Sequence, residues 1–270
     1  MSTNRDQLDN TTRSILHNSR GIDLAERGWL DEAIKEFKSA IQNAPDFAQG
    51  YDNLGTAYAD KGDLFNALES YTKALTLESE NPIALHNLGC FLSNHGNELA
   101  MRCFKEAVKI DPELYEARFN LGLCLAAEDK HEKAINQFEL ALLENEHDHD
   151  ARFHLALSLG AVGKHSNAIK ELLKVVKTDQ KHESAWFNLG QNYQEQGFLE
   201  EAANAFTKAI SLNNNNIDAY LSLASLLHRL ERSKEAKSLI RRAMMLDPKK
   251  TEEFVLTDDQ LCHDVRLIKQ

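Results

Sequence analysis

The sequence predicts an all-α fold in which helical hairpins stack on one another. Two groups of residues in segment 183–216 lie at helical spacing on either side of Gly197, so this segment is expected to form a helix, a turn and a second helix. The first group is Trp186, Leu189, Gly190 and Tyr193, and the second is Ala202, Phe206 and Ala209. Four prolines and twelve glycines in 270 residues leave long helices uninterrupted.

The small residues of this pattern have a packing role. We expect Gly190 and Ala202 to lie where the two helices of a hairpin approach, and Ala209 where one hairpin meets the next. The large apolar side chains fill the remaining space. One hairpin cannot bury that much apolar surface alone, so neighbouring hairpins must stack on it. The pattern therefore predicts that similar hairpins occur elsewhere in the chain.

The same pattern recurs seven times in register between residues 14 and 250. Repeat three is one residue short, and the deletion is expected in the turn after Gly96. Repeat five is the most degenerate, with Ala156 in place of glycine, Leu172 in place of phenylalanine and Val175 in place of alanine. The predicted repeats are 14–47, 48–81, 82–114, 115–148, 149–182, 183–216 and 217–250.

Residues 183–216 resemble the tetratricopeptide repeat at every marked position except the late proline, where Asn214 stands. That repeat is a unit of 34 residues with Trp, Leu-Gly, Tyr, Ala, Phe and Pro in order. The resemblance implies a right-handed α-α superhelical solenoid of seven hairpins. It also implies that the first helix of each repeat lines a concave surface.

Both ends of the chain differ from the repeats. Residues 1–13 are polar without an apolar period, and we expect a disordered lead-in. Residues 251–270 are expected to form a capping helix, with a capping box at Thr257 and Gln260. Its apolar face would be Leu261, Val265 and Ile268. This helix covers the last hairpin or, in the alternative, lies in a groove.

Composition argues against several classes of function. A net charge of −11 disfavours binding to nucleic acid. The sequence contains no run of 18 or more apolar residues, which a membrane-spanning helix would need. Residues 1–10 are polar and lack the apolar core of a signal peptide, which makes the cytoplasm the expected compartment. No catalytic or phosphate-binding motif occurs, so we expect neither an enzyme nor a cofactor. The run 147–150 combines histidine and aspartate, but it lies at a repeat junction and no metal site is expected there.

One row of side chains on the first helices is mostly asparagine. The residue before each Leu-Gly pair is Asn53, Asn87, Asn120 and Asn188, and His154 interrupts the row. The row resembles the asparagine ladder in the repeat region of O-GlcNAc transferase, here without that enzyme's catalytic domain. A carboxamide suits an extended peptide backbone because it offers donors and an acceptor. The alternative is that each amide bonds to a neighbouring helix.

The preceding position gives a second row, which becomes aromatic in repeats four to six. Phe119, Phe153 and Phe187, with Leu123 and Leu157 one turn later, form an apolar stripe. Such a stripe is typical of a partner site. Alternatively, the rings pack on adjacent helices as core.

These rows favour an adaptor or scaffold that binds a peptide or partner protein in the concave groove. The alternatives are a scaffold that self-associates through head-to-tail or tail-in-groove contacts, and a regulatory subunit of a separate enzyme. A receptor for the C-terminal carboxylate of chaperones is not favoured. Members of the family with that role use lysine and asparagine one turn apart, whereas these positions hold Asp52 with Thr56 and His86 with Cys90.

Overall fold

The computed structural model describes residues 4–93 and 97–257, and this part of the chain contains fifteen α-helices and no strand. Consecutive helices pack in pairs, which confirms the predicted all-α fold of helical hairpins. The chain divides into two compact units, Met1–Glu128 (unit 1) and Asp129–Gln270 (unit 2). Each unit is described by itself.

Unit 1 contains seven helices over residues 4–93 and 97–128. In chain order they are α1 (Asn4–Glu26), α2 (Leu30–Asn43), α3 (Ala48–Lys61), α4 (Leu64–Leu77), α5 (Pro82–Ser93), α6 (Asn97–Ile110) and α7 (Tyr115–Ala127). α1 packs on α2, α3 on α4 and α5 on α6, and α7 then packs on α6. The predicted short turn of repeat three includes Gly96, which lies outside the described residues.

Unit 2 contains eight helices in its described part. They are α8 (His131–Glu144), α9 (His149–Ala161), α10 (His165–Thr178), α11 (Glu183–Glu195), α12 (Leu199–Leu212), α13 (Ile217–Arg229), α14 (Ser233–Leu246) and α15 (Pro248–Thr257). Three hairpins form from α9 with α10, α11 with α12 and α13 with α14. α8 packs on α9, and α15 packs on α13 and α14.

Side chains at the repeat junctions start several of the odd-numbered helices. Asp148, His182 and Asn216 each accept a hydrogen bond from the backbone N–H three residues later, at 2.6, 3.2 and 2.9 Å. These bonds satisfy N–H groups that the first helical turn leaves unpaired. At the turn inside a hairpin the chain enters the left-handed region, for example at Gly62 (φ 82°) and Gly197 (φ 80°).

The core of each hairpin is built around one large side chain of its second helix. Phe206 of α12 is fully buried, and a Cβ atom added at Gly190 of α11 would lie 2.7 Å from its ring. Glycine is required there because no side chain fits between the helix and the ring. Where the sequence has Ala156 instead, the facing residue is the smaller Leu172, and both side chains are fully buried. The degenerate repeat five therefore keeps its packing by a matched exchange of volume.

In each unit the odd-numbered helices lie closer to one another than the even-numbered helices do. In unit 1 α1, α3, α5 and α7 contact one another in succession, and in unit 2 α9, α11, α13 and α15 do so. Successive even-numbered helices make no such contacts within either unit over the described residues. We call the exposed surface of the odd-numbered helices of a unit its inner face.

The N-terminal end differs from the expectation of a disordered lead-in over residues 1–13. α1 begins at Asn4, so residues 4–13 are helical. Residues 4–13 contain neither proline nor glycine. The rest of α1 is packed in the fold, where the side chains of Ser14 and Asn18 are buried. A helix that is already nucleated extends through polar residues at little cost.

The C-terminal segment packs on repeat seven as far as the structure describes it. α15 begins at Pro248, three residues before the predicted capping helix 251–270, and its Thr251 and Val255 are 0% and 3% exposed. Val255 joins a cluster with Leu226 and Ile240. Thr257, predicted to begin the capping box, is instead the last residue of α15, which already began at Pro248. Gln260 and the apolar face at Leu261, Val265 and Ile268 lie outside the described residues. No helix in the described part is long and apolar enough to cross a bilayer.

Candidate functional site

The ten residues predicted to bind a partner all lie on odd-numbered helices, and every one is half-buried. Their distribution over the two units is even. Unit 1 holds Asn53, Asn87, Phe119, Asn120 and Leu123. Unit 2 holds Phe153, His154, Leu157, Phe187 and Asn188. The two inner faces differ in chemistry, because amides dominate in the first and rings in the second.

In unit 1 each ladder asparagine bonds to the preceding odd-numbered helix. The Asn53 Nδ2 atom donates to Asn18 Oδ1 at 2.9 Å, and the Asn87 Nδ2 atom donates to Asp52 Oδ2 at 2.7 Å. Asn18 and Asp52 are the second-row residues of the preceding repeats, and both are 6% exposed. The two rows recognised in the sequence are therefore hydrogen-bonded to each other across the repeats.

His86 extends this network to α7. Asn120 Nδ2 lies 3.0 Å from His86 Nε2, so Nε2 accepts a hydrogen bond and the proton of the neutral ring is on Nδ1. The Nδ1–H group faces Asn87 Oδ1 at 3.3 Å. The network thus runs from Asp52 through Asn87 and His86 to Asn120. Burial lowers the pKa of His86, since desolvation disfavours the imidazolium ion.

The lowered pKa of His86 predicts a loss of stability on acidification. The neutral ring stabilises the fold fully above its ordinary pKa of about 6.5, and this contribution disappears as the pH falls through the lowered pKa. Replacing His86 by Gln keeps an acceptor for Asn120 but does not titrate. We expect the urea midpoint of His86→Gln to change less between pH 7 and pH 5 than that of the wild type.

The matched control for this substitution is His147→Gln, since the His147 side chain is 88% exposed. It should keep the pH dependence of the wild type. Identical pH profiles for the wild type and His86→Gln would show that His86 does not titrate with folding.

Two cavities lie between successive odd-numbered helices of unit 1. The first, of about 270 Å³ between α3 and α5, is lined by Thr56, Ala59, Asp60, Leu64, Tyr71, Asn87, Cys90 and Phe91. The second, of about 250 Å³ between α5 and α7, is lined by Cys90, Ser93, Phe104, Asn120, Leu123, Cys124 and Ala127. Three of the predicted partner-binding residues therefore line cavities on this inner face.

In unit 2 the pattern changes because rings replace the acceptors of the second row. Asn188 of α11 donates from Nδ2 to the Ser184 carbonyl of its own helix at 2.8 Å. Phe153, at the position that Asp52 holds in α3, has no atom that could accept this bond. His154 stacks on Phe138 with ring centroids 6.0 Å apart, and burial lowers its pKa.

The three predicted aromatic residues each contact another ring. Phe153 lies 4.7 Å from the His182 ring and Phe187 lies 5.7 Å from the Phe206 ring, measured between centroids. Both also pack against buried clusters of unit 2. Phe119 stacks on Tyr115 in unit 1 at 6.2 Å. Phe153 and Phe187 are thus held in place by core contacts, and part of each of the three rings remains exposed.

Sequence reasoning identified the two rows but missed the role of Asn18, Asp52 and His86 as hydrogen-bond acceptors. A signal was present, because an acceptor residue directly precedes the ladder position in each of the first three repeats and an apolar residue does so in the others.

The run 147–150 has a structural role at its second residue, since Asp148 caps α9. Over the described residues, no three His, Cys, Asp or Glu side chains are placed to share a metal ion. Burial raises the pKa of Cys90, Cys103 and Cys124, so these thiols stay protonated at neutral pH.

Five segments of the chain match family models of the tetratricopeptide repeat, and together they run from residue 55 to residue 250 without a gap. The segments are 55–96, 91–151, 135–187, 183–216 and 217–250. The last two have the same limits as repeats six and seven of the sequence analysis.

Known proteins are similar in sequence to parts of the chain. The Hsp70-Hsp90 organising protein of Plasmodium falciparum is 36% identical over 90 residues, which are 32% of this chain and 35% of that protein. The BBSome complex member BBS4 of Bos taurus is 29% identical over 140 residues, which are 49% of this chain and 26% of that protein. The chain thus spans about a third or less of these relatives.

A solved structure shares the fold. The structure of YrrB, described as a TPR protein with an unusual peptide-binding site, superposes with a TM-score of 0.60 at 22% identity. The match covers 66% of this chain and 92% of that chain. At this identity the likeness concerns the fold alone.

Proposed function

Because the chain belongs to the tetratricopeptide repeat family, we propose that it is an adaptor that binds another protein, with a segment of the partner lying along the inner face. The observation that carries the proposal is the pair of side-chain rows on the odd-numbered helices, which are fixed by contacts within the chain and remain half-exposed. The proposal includes no catalytic step. The expected compartment remains the cytoplasm.

The amide network of unit 1 supports binding of an extended peptide backbone. An asparagine side chain has two N–H donors and a carbonyl acceptor, so the single bond from Asn53 to Asn18 leaves hydrogen-bonding capacity. Because this bond already holds the amide in one orientation, the entropic cost of binding a ligand to it is lower. A peptide main chain, which alternates N–H and C=O groups, matches such a row.

The rings of unit 2 support binding of apolar anchors. Phe153 and Phe187 are held by His182 and Phe206, so each presents a rigid apolar edge. Rigid aromatic side chains that are partly desolvated before binding are typical centres of binding energy. The partner is therefore proposed to carry apolar side chains where it meets this inner face.

The inner face of unit 1 does not suit a terminal carboxylate. Asp52 is acidic and buried, and the lowered pKa of His86 keeps that ring neutral at pH 7. A carboxylate would meet no cation at these two positions and would be repelled by Asp52. The partner is thus distinct in chemistry from a chaperone C-terminus, although Hsp70-Hsp90 organising proteins are among the relatives.

Placing a charge on the inner face is expected to weaken the proposed binding. Peptides selected from a displayed random library on the wild-type chain serve as probes, and their affinity is measured by fluorescence anisotropy. Leu123→Glu in unit 1 and Leu157→Glu in unit 2 each introduce a carboxylate beside the predicted contacts. For peptides that bind the altered unit we expect an affinity loss of about tenfold or more, that is ~1.4 kcal/mol.

Leu143→Glu is the matched control, because Leu143 lies on the even-numbered helix α8 and is 76% exposed. It introduces the same charge away from the inner face and should leave the affinity unchanged. Urea midpoints of all three variants distinguish lost binding from lost folding. Equal affinity of the wild type and both inner-face variants would refute the proposed site.

A further inference from the structure

A groove lies between α2 and α4 of unit 1, and α3 forms its floor. We call it the α2–α4 groove. Its volume is about 690 Å³, against about 270 and 250 Å³ for the two cavities of the inner face. Ligand sites in proteins commonly measure roughly 300–1,000 Å³, so several side chains fit here. The groove is lined by Lys38 of α2, by Tyr51, Leu54 and Tyr58 of α3, and by residues of α4 from Phe65 to Thr76.

Phe65 on the wall of this groove departs from the repeat pattern. Its side chain is 78% exposed, and Leu68, one turn later on the same wall, is 45% exposed. Phe65 stands two residues before the small alanine of the second helix. In the other six repeats this position is polar, with Asp31, Glu98, Glu132, Ser166, Glu200 and Lys234. A large apolar side chain that is exposed beside an apolar groove is typical of a partner surface.

The corresponding groove of unit 2, between α12 and α14, lacks this character. Its volume is about 360 Å³, and at the position of Phe65 the helix α14 has Lys234. Its charged side chains pair with one another, since Arg232 bonds to Glu235 at 2.8 Å and lies 3.9 Å from Glu200. The exposed ring and the larger volume therefore distinguish the α2–α4 groove from its counterpart in unit 2.

The hydroxyl groups on the α4 wall already donate to their own helix. Ser70 Oγ donates to the Asn66 carbonyl at 2.7 Å, and Thr72 Oγ1 donates to the Leu68 carbonyl at 2.8 Å. Thr76 Oγ1 donates to the Thr72 carbonyl at 2.7 Å. Because these donors are used within α4, the wall offers few hydrogen bonds to an extended peptide backbone. A helix satisfies its own backbone groups, so it can lie in such a groove through side-chain contacts alone.

The lining residues also have the spacing that favours packing of another helix. Phe65, Leu68 and Thr72 follow at intervals of three and four residues, so they form one stripe along α4. On the floor, Leu54 and Tyr58 lie one turn apart on α3. Stripes of this kind pack against the apolar stripe of an amphipathic helix.

The charges of the α2–α4 groove indicate an acidic occupant. Lys38 and Lys73 line it, and neither forms an ion pair with a residue that the structure describes. The Lys38 Nζ atom lies 5.5 Å from the centroid of the Tyr58 ring. Glu69 is the one carboxylate among the lining residues, so the cations are in excess. A carboxylate of a partner would be attracted to these two lysines.

We propose that the α2–α4 groove binds an amphipathic helix of a partner protein, whose apolar side chains lie against Phe65 and Leu68 and whose flanking carboxylates face Lys38 and Lys73. The inference goes beyond the proposed function, because none of the ten residues predicted to bind a partner lines this groove. The chain can then hold an extended segment on an inner face and a helix in this groove at the same time, which is what an adaptor that joins two partners requires.

The test uses the full chain and a displayed library of peptides built on one helical scaffold of about four turns. The apolar face of the scaffold is varied, and its flanking positions hold either glutamate or lysine. Peptides are selected on the wild type, and their affinities are measured by fluorescence anisotropy. We expect glutamate at the flanks, and we expect Phe65→Glu to weaken the binding about tenfold or more. Its urea midpoint should stay unchanged, because repeats three, four and six have glutamate at this position.

Two substitutions on the same wall test the charge preference. Lys73→Gln should weaken the binding of glutamate-flanked peptides and Glu69→Gln should strengthen it, each by up to about fivefold, as expected for exposed charges. Both effects should shrink at high salt. Phe198→Glu is the control for Phe65→Glu, since it makes the same exchange at another exposed ring, and it should leave the binding intact.

The outcomes separate this inference from the proposed function. A selection without helical peptides, or peptides that bind Phe65→Glu as tightly as the wild type, would overturn the inference and leave the inner-face site standing. Peptides weakened by Leu123→Glu but not by Phe65→Glu would lie on the inner face and would also overturn it. A wild-type dimer that Phe65→Glu dissociates in light scattering would assign the groove to a second copy of the chain instead. Helical peptides that depend on Phe65, found without any inner-face peptide, would support the inference and refute the inner-face site.

Discussion

Replacing Phe206 by alanine is expected to lower the free energy of unfolding of unit 2 by about 3–5 kcal/mol. The ring is fully buried between α11 and α13, where it faces Gly190 and belongs to one cluster with Leu223 and Ala224. Removing it leaves a cavity next to Gly190, which has no side chain to fill the space. Urea unfolding followed by circular dichroism measures the loss.

Phe198→Ala is the matched control for this substitution. Phe198 belongs to the same repeat, but it is 49% exposed and lies at the turn before α12. Its replacement is expected to cost less than about 1 kcal/mol. Comparable losses in the two variants would mean that stability does not depend on the close approach of ring and glycine.

The hairpin architecture can be predicted from the sequence because the residue type at each marked position of the repeat is set by local packing. Gly190 facing Phe206 is one example, and the exchange of this pair for Ala156 and Leu172 is another. The two members of each pair lie on the two helices of one hairpin, so the spacing within the repeat is enough to place them. The resemblance to a known repeat then supplies the stacking of one hairpin on the next.

The N-terminal boundary was not predictable by the same reasoning. The repeat pattern begins at residue 14, and the polar residues before it carry no apolar period that would indicate a helix. Helix extension from a packed segment needs only the absence of residues that break it. Periodicity detects helices that bury a face, whereas α1 begins at Asn4, before the first residue of the repeat pattern.

The candidate site was predictable in its positions but not in its bonds. Sequence spacing puts Asn87 and Asp52 on the inner face, but the bond between them joins residues 35 positions apart on different hairpins. Whether the ladder amide reaches the second-row residue depends on how far one hairpin is rotated against the next. That rotation is set by packing over many residues, so no single position in the sequence reveals it.

The same bonds explain why the two units present different inner faces. An acceptor in the second row ties the next ladder asparagine to the preceding helix, as Asp52 does for Asn87. A ring cannot, and Asn188 then turns to the carbonyl of Ser184 in its own helix. One exchange of residue type in a single row therefore converts a polar, hydrogen-bonded surface into an apolar one without changing the hairpins below.

Replacing Val255 by aspartate is expected to detach α15 from the end of unit 2. Val255 is 3% exposed and packs in a cluster with the fully buried Leu226 and Ile240, so a carboxylate there has no solvent and no partner. We expect a loss of about 3 kcal/mol, the lower end of the cost of an unpaired buried charge. Because the contacts of α15 in the described residues are with α13 and α14, the helix should undock while the other hairpins stay folded.

The undocked state should be visible as an early transition in urea and as binding of the dye ANS to the uncovered apolar surface. Met245→Asp adds the same charge at a site on α14 that is 77% exposed, and it should show neither effect. A terminal repeat needs a polar cover because its apolar side otherwise faces water. If Val255→Asp behaves like Met245→Asp, α15 does not supply that cover, and the alternative position of the tail in a groove becomes the better explanation of its apolar residues.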